Sequence, residues 1–207
     1  MSDALSEELS EIAGQAVSPE AAERLKEYQR LVIDENVHQN LVSRGTINSF
    51  WARHVLDSAQ LVRLETHPGA SWVDLGSGAG LPGVVIACLV DGPVTLVEPR
   101  ALRADFLRRV VAELGLRASV IQSKAESVAG SFDVLTARAV APLDRLLDLS
   151  RAFSTINMRH VYPKGKSARI ELAEARRTWQ GSFHVERSAT DADSFIIVAE
   201  DVRARSR

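Results

Sequence analysis

A glycine-rich turn between an apolar strand and an apolar helix constrains the fold of this chain more than any other feature. Residues 71–75 have the composition of a short buried strand, and residues 82–90 that of a buried helix. Glycines at positions 76, 78, 80 and 83 connect the two. Glycine permits the positive φ and the close backbone approach that such turns require. The arrangement is typical of a Rossmann-like strand–turn–helix unit, in which the turn holds a ligand.

The rest of the chain after residue 71 predicts an α/β fold, because short apolar runs alternate with helical stretches. We predict seven strands, at residues 71–75, 94–98, 118–122, 132–137, 159–162, 183–186 and 195–200. We predict helices at residues 82–90, 101–114, 141–153 and 167–179, and a short turn near Glu126. Since no helix separates the last two strands, we expect a mainly parallel sheet with an antiparallel hairpin at one side.

Two helical patterns precede this region. Ser18 can cap a helix that starts at Pro19, and apolar residues recur at helical spacing within residues 25–32 and 50–62. We therefore expect residues 1–66 to form an N-terminal helical extension and residues 67–207 a Rossmann-like domain. A chain of 207 residues is too short for two ordinary domains, so the two parts should form one compact unit.

The composition excludes several classes of protein. Hydrophobic residues make up 45% and charged residues 25% of the chain, as in globular proteins. The acidic start, MSDALSEE, is not a secretory signal, and no apolar run reaches the length of about 20 residues that a membrane span needs. We expect a cytoplasmic protein without membrane contact. The single cysteine, Cys88, lies in an apolar run, and no metal site is predicted.

The charges beside the glycine turn distinguish two classes of cofactor. Residues 78–83 match the dinucleotide pattern GxGxxG, but Asp74 at the end of the first strand would repel a pyrophosphate. The same carboxylate favours the sulfonium and ammonium of S-adenosylmethionine. Glu98 ends the second strand, where a carboxylate can accept both ribose hydroxyls. NAD sites use the same device, so an NAD site and a purely structural turn remain the alternatives. The S-adenosylmethionine site predicted from these charges and glycines comprises Asp74, Gly76, Ser77, Gly78, Gly80 and Glu98.

Two cations follow the fourth and fifth predicted strands, where an open parallel sheet binds its ligands. Arg138 offers planar donors suited to a carboxylate, a phosphate or a guanine edge, and Lys164 would converge on the same cleft. Residues 136–143 contain neither the Asp/Asn-Pro-Pro-aromatic tetrad of exocyclic-amine methyltransferases nor a nucleophilic cysteine. The site suits a nucleophile with a lone pair and no proton to lose, such as guanine N7. For both cations, a salt bridge or a solvated strand end is the alternative.

The remaining candidates depend on position and charge. Glu126 follows the third strand, where adenine would lie, but it could also be an ordinary acid in the first turn of a short helix. The net charge of −2 does not indicate a nucleic-acid-binding protein. Arginines nevertheless crowd one stretch, which predicts either a basic face for RNA or a solvated helix face. These are Arg100, Arg103, Arg108, Arg109 and Arg117.

Taken in order, the motifs resemble the bacterial small-subunit (16S) ribosomal RNA guanine-N7 methyltransferases, long called glucose-inhibited division protein B. The motifs are NLVS at 40–43, RHVLDS at 53–58, the turn at 74–83 with its LPG ending, Arg103 with Phe106-Leu107, Ala125-Glu126, Arg138-Ala139 and Lys164-Gly165. The chain departs from the family at Leu102, where lysine is frequent, and before Lys164, where a glycine-rich turn is usual.

The resemblance implies a class I methyltransferase fold with seven strands, and cofactor contacts that include Gly76, Leu81, Ala125, Glu126 and Arg138. It implies that Arg53, His54, Arg138 and Lys164 border the cleft for RNA and cofactor; without it, His54 would be interpreted as a structural histidine on a helix face. The expected reaction is methylation of guanine N7 in 16S ribosomal RNA.

The predicted catalytic residues for this reaction are Arg138 and Lys164. The residues predicted to bind the RNA are Arg53, His54, Arg100, Arg103, Arg138 and Lys164. The expected partner is 16S ribosomal RNA or the small ribosomal subunit, and the chain should be a monomer. The alternatives are methylation of a small molecule or protein by the same fold, and a nucleotide-binding ribosome-assembly module without activity.

Overall fold

The computed structural model describes residues 2–205, so that Met1, Ser206 and Arg207, at the ends of the two predicted segments, lie outside the described residues. Its strands form a seven-stranded sheet in the order β3-β2-β1-β4-β5-β7-β6. They are β1 (Trp72–Leu75), β2 (Val94–Val97), β3 (Ala118–Ile121), β4 (Val134–Thr136), β5 (Arg159–Lys164), β6 (Trp179–Arg187) and β7 (Phe195–Ala204). All seven predicted strands are confirmed.

Pairing within the sheet confirms the predicted mixture of directions. β1 pairs in parallel with both β2 and β4, and the pairs β2–β3 and β4–β5 are also parallel. β7 pairs antiparallel with β5 and with β6. The strand order reverses between β1 and β4, and ligands of such sheets bind beyond the carboxyl ends of the strands at that reversal. This edge of the sheet therefore positions the site.

The helices are α1 (Ser2–Ala13), α2 (Pro19–Glu35), α3 (Arg44–Ile47), α4 (Asp57–Ala59), α5 (Gly83–Leu89), α6 (Ala101–Glu113), α7 (Leu143–Ser150) and α8 (Ala168–Ala175). A π-helical turn, Trp51–Leu56, leads into α4, and a 3-10 helix, Gln60–Leu64, follows it, so residues 51–64 run as one continuous helical segment. Another 3-10 turn spans Ala125–Ser127. No helix in the described part of the chain is both long and apolar enough to cross a membrane.

Two of the helical expectations were wrong or incomplete. The two helical patterns predicted within the N-terminal extension do not include α1, in which Leu9 and Ala13 are fully buried. The helix predicted after β5 extends to Trp179, which is instead the first residue of β6 and pairs with Ala204. The predicted cap is confirmed, because Ser18 Oγ accepts the Ala21 N–H at 3.2 Å.

Side chains that alternate along the strands bury both faces of the sheet. On one face Trp72 packs in a cluster with residues of α1, α2, α5 and α6. On the other, Val73 and Leu75 pack with residues of α7 and α8. The N-terminal helices are thus part of one of the two layers that cover the sheet.

Candidate active site

The glycine turn after β1 has the backbone conformation that the sequence predicted. Gly76, Gly78 and Gly80 have φ of +67°, +57° and +102°. A Cβ on Gly80 would lie 2.5 Å from Val84 Cγ2, so strain and crowding both require glycine there. The Gly80 N–H donates to Ser77 O at 2.7 Å and closes the turn. Leu81, which follows, is buried.

Asp74 lies fully buried beneath this turn. Its Oδ2 accepts the Gly83 N–H at 3.1 Å, whereas its Oδ1 has no hydrogen-bond partner among the described residues. Burial raises the pKa of the carboxyl to about 7. A buried oxygen without a donor is costly, and a positive charge beside it would lower the pKa again. Asp74 therefore fits a cationic ligand such as S-adenosylmethionine.

Asp74→Asn tests this description through the pH dependence of stability. Because the pKa in the folded state lies above its unfolded value, Asp74 stabilises the fold at low pH and loses that contribution as pH rises towards and past 7. The free energy of unfolding of the wild type should fall by roughly 2 kcal/mol more than that of the variant when the pH is raised from 5 to 8. Urea titrations at several pH values measure the difference; a difference independent of pH would contradict the expectation.

Glu98 lies directly after β2 and is held from both sides. Its Oε2 accepts the Gly78 N–H and its Oε1 accepts the Arg100 N–H, each at 2.9 Å, and the residue is 3% exposed. Each carboxylate oxygen can accept a second hydrogen bond. The carboxylate is thus fixed against the glycine turn with capacity left for ribose hydroxyls, and its role there stays a prediction.

The two arginines that follow Glu98 differ in their surroundings. Arg100 is exposed. Arg103 Nη2 donates to Asn40 O at 3.3 Å, and its Nη1 would lie 3.6 Å from a Cβ on Gly78. Arg103 therefore links the glycine turn to the loop after α2, where the NLVS motif lies. Their contacts with RNA stay a prediction.

Ala125 and Glu126 form the start of the 3-10 turn after β3. The Glu126 carboxylate is exposed and accepts from Arg145 Nη2 at 2.9 Å. This places the pair at the same edge of the sheet as Glu98, as predicted, while the carboxylate itself is turned to α7.

Tyr28 connects α2 to the glycine turn, a contact that was not predicted from the sequence. The side chain is fully buried, and its hydroxyl donates to Ala79 O at 3.0 Å. The hydroxyl oxygen of Tyr28 would lie 3.1 Å from a Cβ on Gly80. Helical spacing in the sequence marked Tyr28 only as a core residue. The N-terminal helices therefore support the turn directly.

Tyr28→Phe removes only the hydroxyl and leaves Ala79 O without its donor. We expect the free energy of unfolding to fall by about 1–2 kcal/mol and the affinity for S-adenosylmethionine to fall several-fold, measured by urea unfolding and by calorimetry. Tyr162→Phe is a matched control, because Tyr162 is also fully buried but its hydroxyl lies 2.9 Å from His160 Nδ1, away from the turn. Equal losses of affinity in both variants would refute a specific role for Tyr28.

Arg138 lies at the start of the loop after β4. This loop packs against the glycine turn. Ala139 has a positive φ of 56°, and a Cβ on Gly76 would lie 2.6 Å from Val140 Cγ2. Arg138 Nη1 donates to Asp57 Oδ2 at 3.3 Å, and both side chains are at most a fifth exposed, 18% and 20%. The guanidinium is therefore oriented next to the predicted cofactor site.

Lys164, the last residue of β5, is tied to the same loop. Its Nζ donates to Ala141 O at 2.8 Å and pairs with Glu171 Oε2 at 2.8 Å, with only 10% of its side chain exposed. Glu171 Oε2 also accepts the Leu143 N–H. The geometry gives Lys164 a part in holding the loop after β4; its predicted catalytic role stays a prediction.

Arg53 and His54 lie on the π-helical turn, a conformation that is frequent at functional sites. Arg53 is exposed, whereas both ring nitrogens of His54 are buried without a hydrogen-bond partner among the described residues. Burial, together with the charges of Arg138 and Arg53, lowers the pKa of His54 to about 4. His54 is thus neutral near pH 7 and can act as a hydrogen-bonding group, not as an acid.

A cavity of about 460 Å³ lies where these elements meet, within the range of small-molecule sites. Its walls include Asp57, Arg138, the loop after β4, Lys164 and the start of β7. Apart from Arg138, the predicted cofactor residues lie in or after β1, β2 and β3. Of the predicted substrate residues, Arg138 and Lys164 line this cavity, whereas Arg53 and His54 lie on the π-helical turn and Arg100 and Arg103 follow β2. The glycine turn and the loop after β4 meet where Val140 approaches Gly76, so the cavity adjoins the predicted cofactor site.

Comparison with known proteins identifies relatives over most of the chain. The family described as rRNA small subunit methyltransferase G matches residues 21–194. Ribosomal RNA small subunit methyltransferase G of Sphingopyxis alaskensis is 50% identical over 186 residues, which cover 88% of this chain and 80% of that protein. The protein of the same name from Zymomonas mobilis is 40% identical over 200 residues, covering 92% and 90%.

Solved structures resemble the fold at low sequence identity. A mutant of MtNAS in complex with S-adenosylmethionine has a TM-score of 0.59 and 17% identity, over 89% of this chain and 77% of that one. Aeropyrum pernix fibrillarin with bound S-adenosyl-L-methionine has a TM-score of 0.54 and 17% identity, over 72% and 75%. The likeness confirms the predicted class I methyltransferase fold.

Proposed function

This chain belongs to the rRNA small subunit methyltransferase G family, and from that premise we propose that it transfers a methyl group from S-adenosylmethionine to N7 of a guanine in 16S ribosomal RNA. As a member of the family it is an S-adenosylmethionine-dependent methyltransferase of ribosomal RNA. The observation that carries the proposal is the extent of the family match, which spans residues 21–194 and so includes the glycine turn, Arg138 and Lys164.

S-Adenosylmethionine supplies an electrophilic methyl group on a sulfonium. In this chain the glycine turn would hold the methionine part of the cofactor through its backbone, with Asp74 beneath it. Glu98 would accept from the ribose, and Ala125 and Glu126 would border the adenine. Each of these groups is already held by the fold, which supports binding with little rearrangement.

The substrate side of the cleft supports a reaction driven by positioning. Guanine N7 has an in-plane lone pair and loses no proton when it is methylated, so no general base is required. Arg138 has donors in the geometry that matches the O6 and N7 edge of guanine or a nearby phosphate. The neutral His54 lies next to it. Together these residues would orient the base and exclude water from it.

The state of the RNA follows from the position of guanine N7 in a double helix. In an A-form helix guanine N7 faces a deep, narrow groove that side chains do not enter. The target guanine is therefore unpaired or flipped when it enters the cavity beside Arg138.

We further propose a monomer that acts in the cytoplasm on 16S ribosomal RNA or the small ribosomal subunit, with residues 1–66 and 67–207 folded as one unit.

Transfer of labelled methyl groups to purified small-subunit RNA tests the function. We expect label in 16S ribosomal RNA, and chemical cleavage specific for N7-methylguanine should map it to one nucleotide. Free RNA and assembled small subunits are compared in parallel. Label in a protein or a small molecule instead of RNA, or no label with intact cofactor binding, would overturn the proposal.

A further inference from the structure

Asp57 is the meeting point of three segments of the chain. It lies at the start of α4, directly after the π-helical turn. Its Oδ2 accepts from Arg138 Nη1 at 3.3 Å, in the loop after β4. Its Oδ1 accepts from Gln60 Nε2 at 2.9 Å and from Thr190 Oγ1 at 3.1 Å, the latter in the loop between β6 and β7. One carboxylate therefore joins elements that lie far apart in sequence.

Gln60 also contacts the loop between β6 and β7. Its side chain is 1% exposed, and its Oε1 accepts the Ala189 N–H at 2.8 Å. Residues 188–194, which connect β6 to β7, are thus held through both side-chain and backbone contacts. Since Asp57 and Gln60 are three residues apart, they contact the loop from the same face of the helical segment.

Cavities lie on both sides of Asp57. The cavity of about 460 Å³ is lined by Arg138 and Lys164, and by Ser188 and Ser194 of the loop. A second cavity of about 320 Å³ is lined by residues that include Arg53, Thr190 and Ser194. Asp57 borders both. Through its hydrogen bonds, Asp57 influences both the orientation of the Arg138 guanidinium and the position of the loop.

We propose that Asp57 is a positioning residue, which orients Arg138 towards the target base and fixes the loop of residues 188–194 as the wall of the cleft that faces the unpaired RNA strand. This rests on the proposed function. A guanidinium recognises a base edge through planar, directional donors, so an arginine that is free to rotate loses most of its selectivity. The carboxylate of Asp57 is the partner that restricts this rotation, and it acts on the reaction through Arg138.

Asp57→Asn presents an amide in place of the carboxylate and releases Arg138. We expect kcat/KM for RNA to fall about 10- to 100-fold, as for residues that orient a functional group, while the Kd for S-adenosylmethionine changes less than about twofold. Thr190→Val removes the hydroxyl that contacts Asp57, Gln60 and Ser188 but leaves the pair of Asp57 with Arg138 in place, and it should raise KM for RNA by about three- to tenfold. Thr178→Val is the matched control, because the Thr178 hydroxyl also donates to an aspartate, Asp144, away from the cleft.

The decisive measurement is a double-mutant cycle with Arg138→Ala, using single-turnover rates and filter binding of the same RNA. If Asp57 acts on the reaction through Arg138, then Asp57→Asn changes the single-turnover rate by no more than about twofold in the Arg138→Ala background, and the affinity for RNA falls there no more than it does in Thr190→Val. Full, multiplicative losses in that background would overturn the proposal, as would an unchanged Asp57→Asn enzyme. Thr190→Val keeps the test valid should Asp57→Asn fail to fold. Wild-type enzyme that leaves RNA unlabelled would refute the proposed function instead.

Discussion

Arg138→Ala should reduce kcat/KM for methylation of small-subunit RNA by about 10²- to 10³-fold, the loss typical of removing one preorganised donor from an active site. The fold should tolerate the change, because Asp57 keeps hydrogen bonds from Gln60 and Thr190. We expect a decrease in Tm of only a few degrees. Single-turnover methyl transfer and thermal melting measure the two quantities.

The controls separate charge, geometry and stability. Arg138→Lys keeps the positive charge without the planar donors and should recover only part of the activity. Arg30→Ala removes an arginine that also forms ion pairs, with Glu27 and Asp34, on the exposed side of α2. It should leave turnover unchanged. A loss of activity at Arg138 that merely parallels the loss of Tm would show that the residue is structural.

Glu98→Ala should raise the Kd for S-adenosylmethionine by about 10²-fold or more. The substitution removes the proposed acceptor for the ribose hydroxyls and also leaves the Gly78 and Arg100 N–H groups without their acceptor, at about 1–3 kcal/mol for each group that stays buried. The glycine turn would then lose the side chain that fixes it against β2. Calorimetric titration with the cofactor measures the effect.

Asp133 supplies the matched control for Glu98. Its carboxylate also accepts a backbone N–H, that of Ser71 at 2.8 Å, but at the opposite edge of the sheet. Asp133→Ala should destabilise the fold while the Kd for the cofactor stays close to that of the wild type. Equal effects of the two substitutions on cofactor affinity would mean that Glu98 acts only through stability.

The local features of the sequence predicted the sheet and the turn. Apolar runs between breakers located all seven strands, and the glycines with Asp74 and Glu98 located the predicted cofactor site, because these signals lie within a few neighbouring residues. The error at Trp179 has the same origin. Leu172, Ala175 and Trp179 continue a helical spacing, and only the pairing of β6 with β7 shows that the helix has already ended.

Contacts between distant segments were not predictable in this way. Thr190 meets Asp57 across 133 residues of sequence, and Tyr28 meets Ala79 across 51. A threonine in a loop and a tyrosine on an apolar helix face do not indicate, from the sequence alone, which distant residue each of them contacts. Glu171 likewise had no mark in the sequence that would assign it to Lys164. The sequence thus predicted which elements form the cleft, but not the side chains that hold them in register.

The packing of the N-terminal helices also affects how the chain must be made. The apolar faces of α1 and α2 pack mainly against each other, residues 57–64, α5 and α6, so part of their cover leaves the ribosome after they do. Synthesis proceeds at about 5–20 residues per second, which leaves these faces exposed for several seconds in the nascent chain. A fragment that stops before α5 would keep them only partly covered, and such exposed surfaces are what chaperones bind and what aggregates.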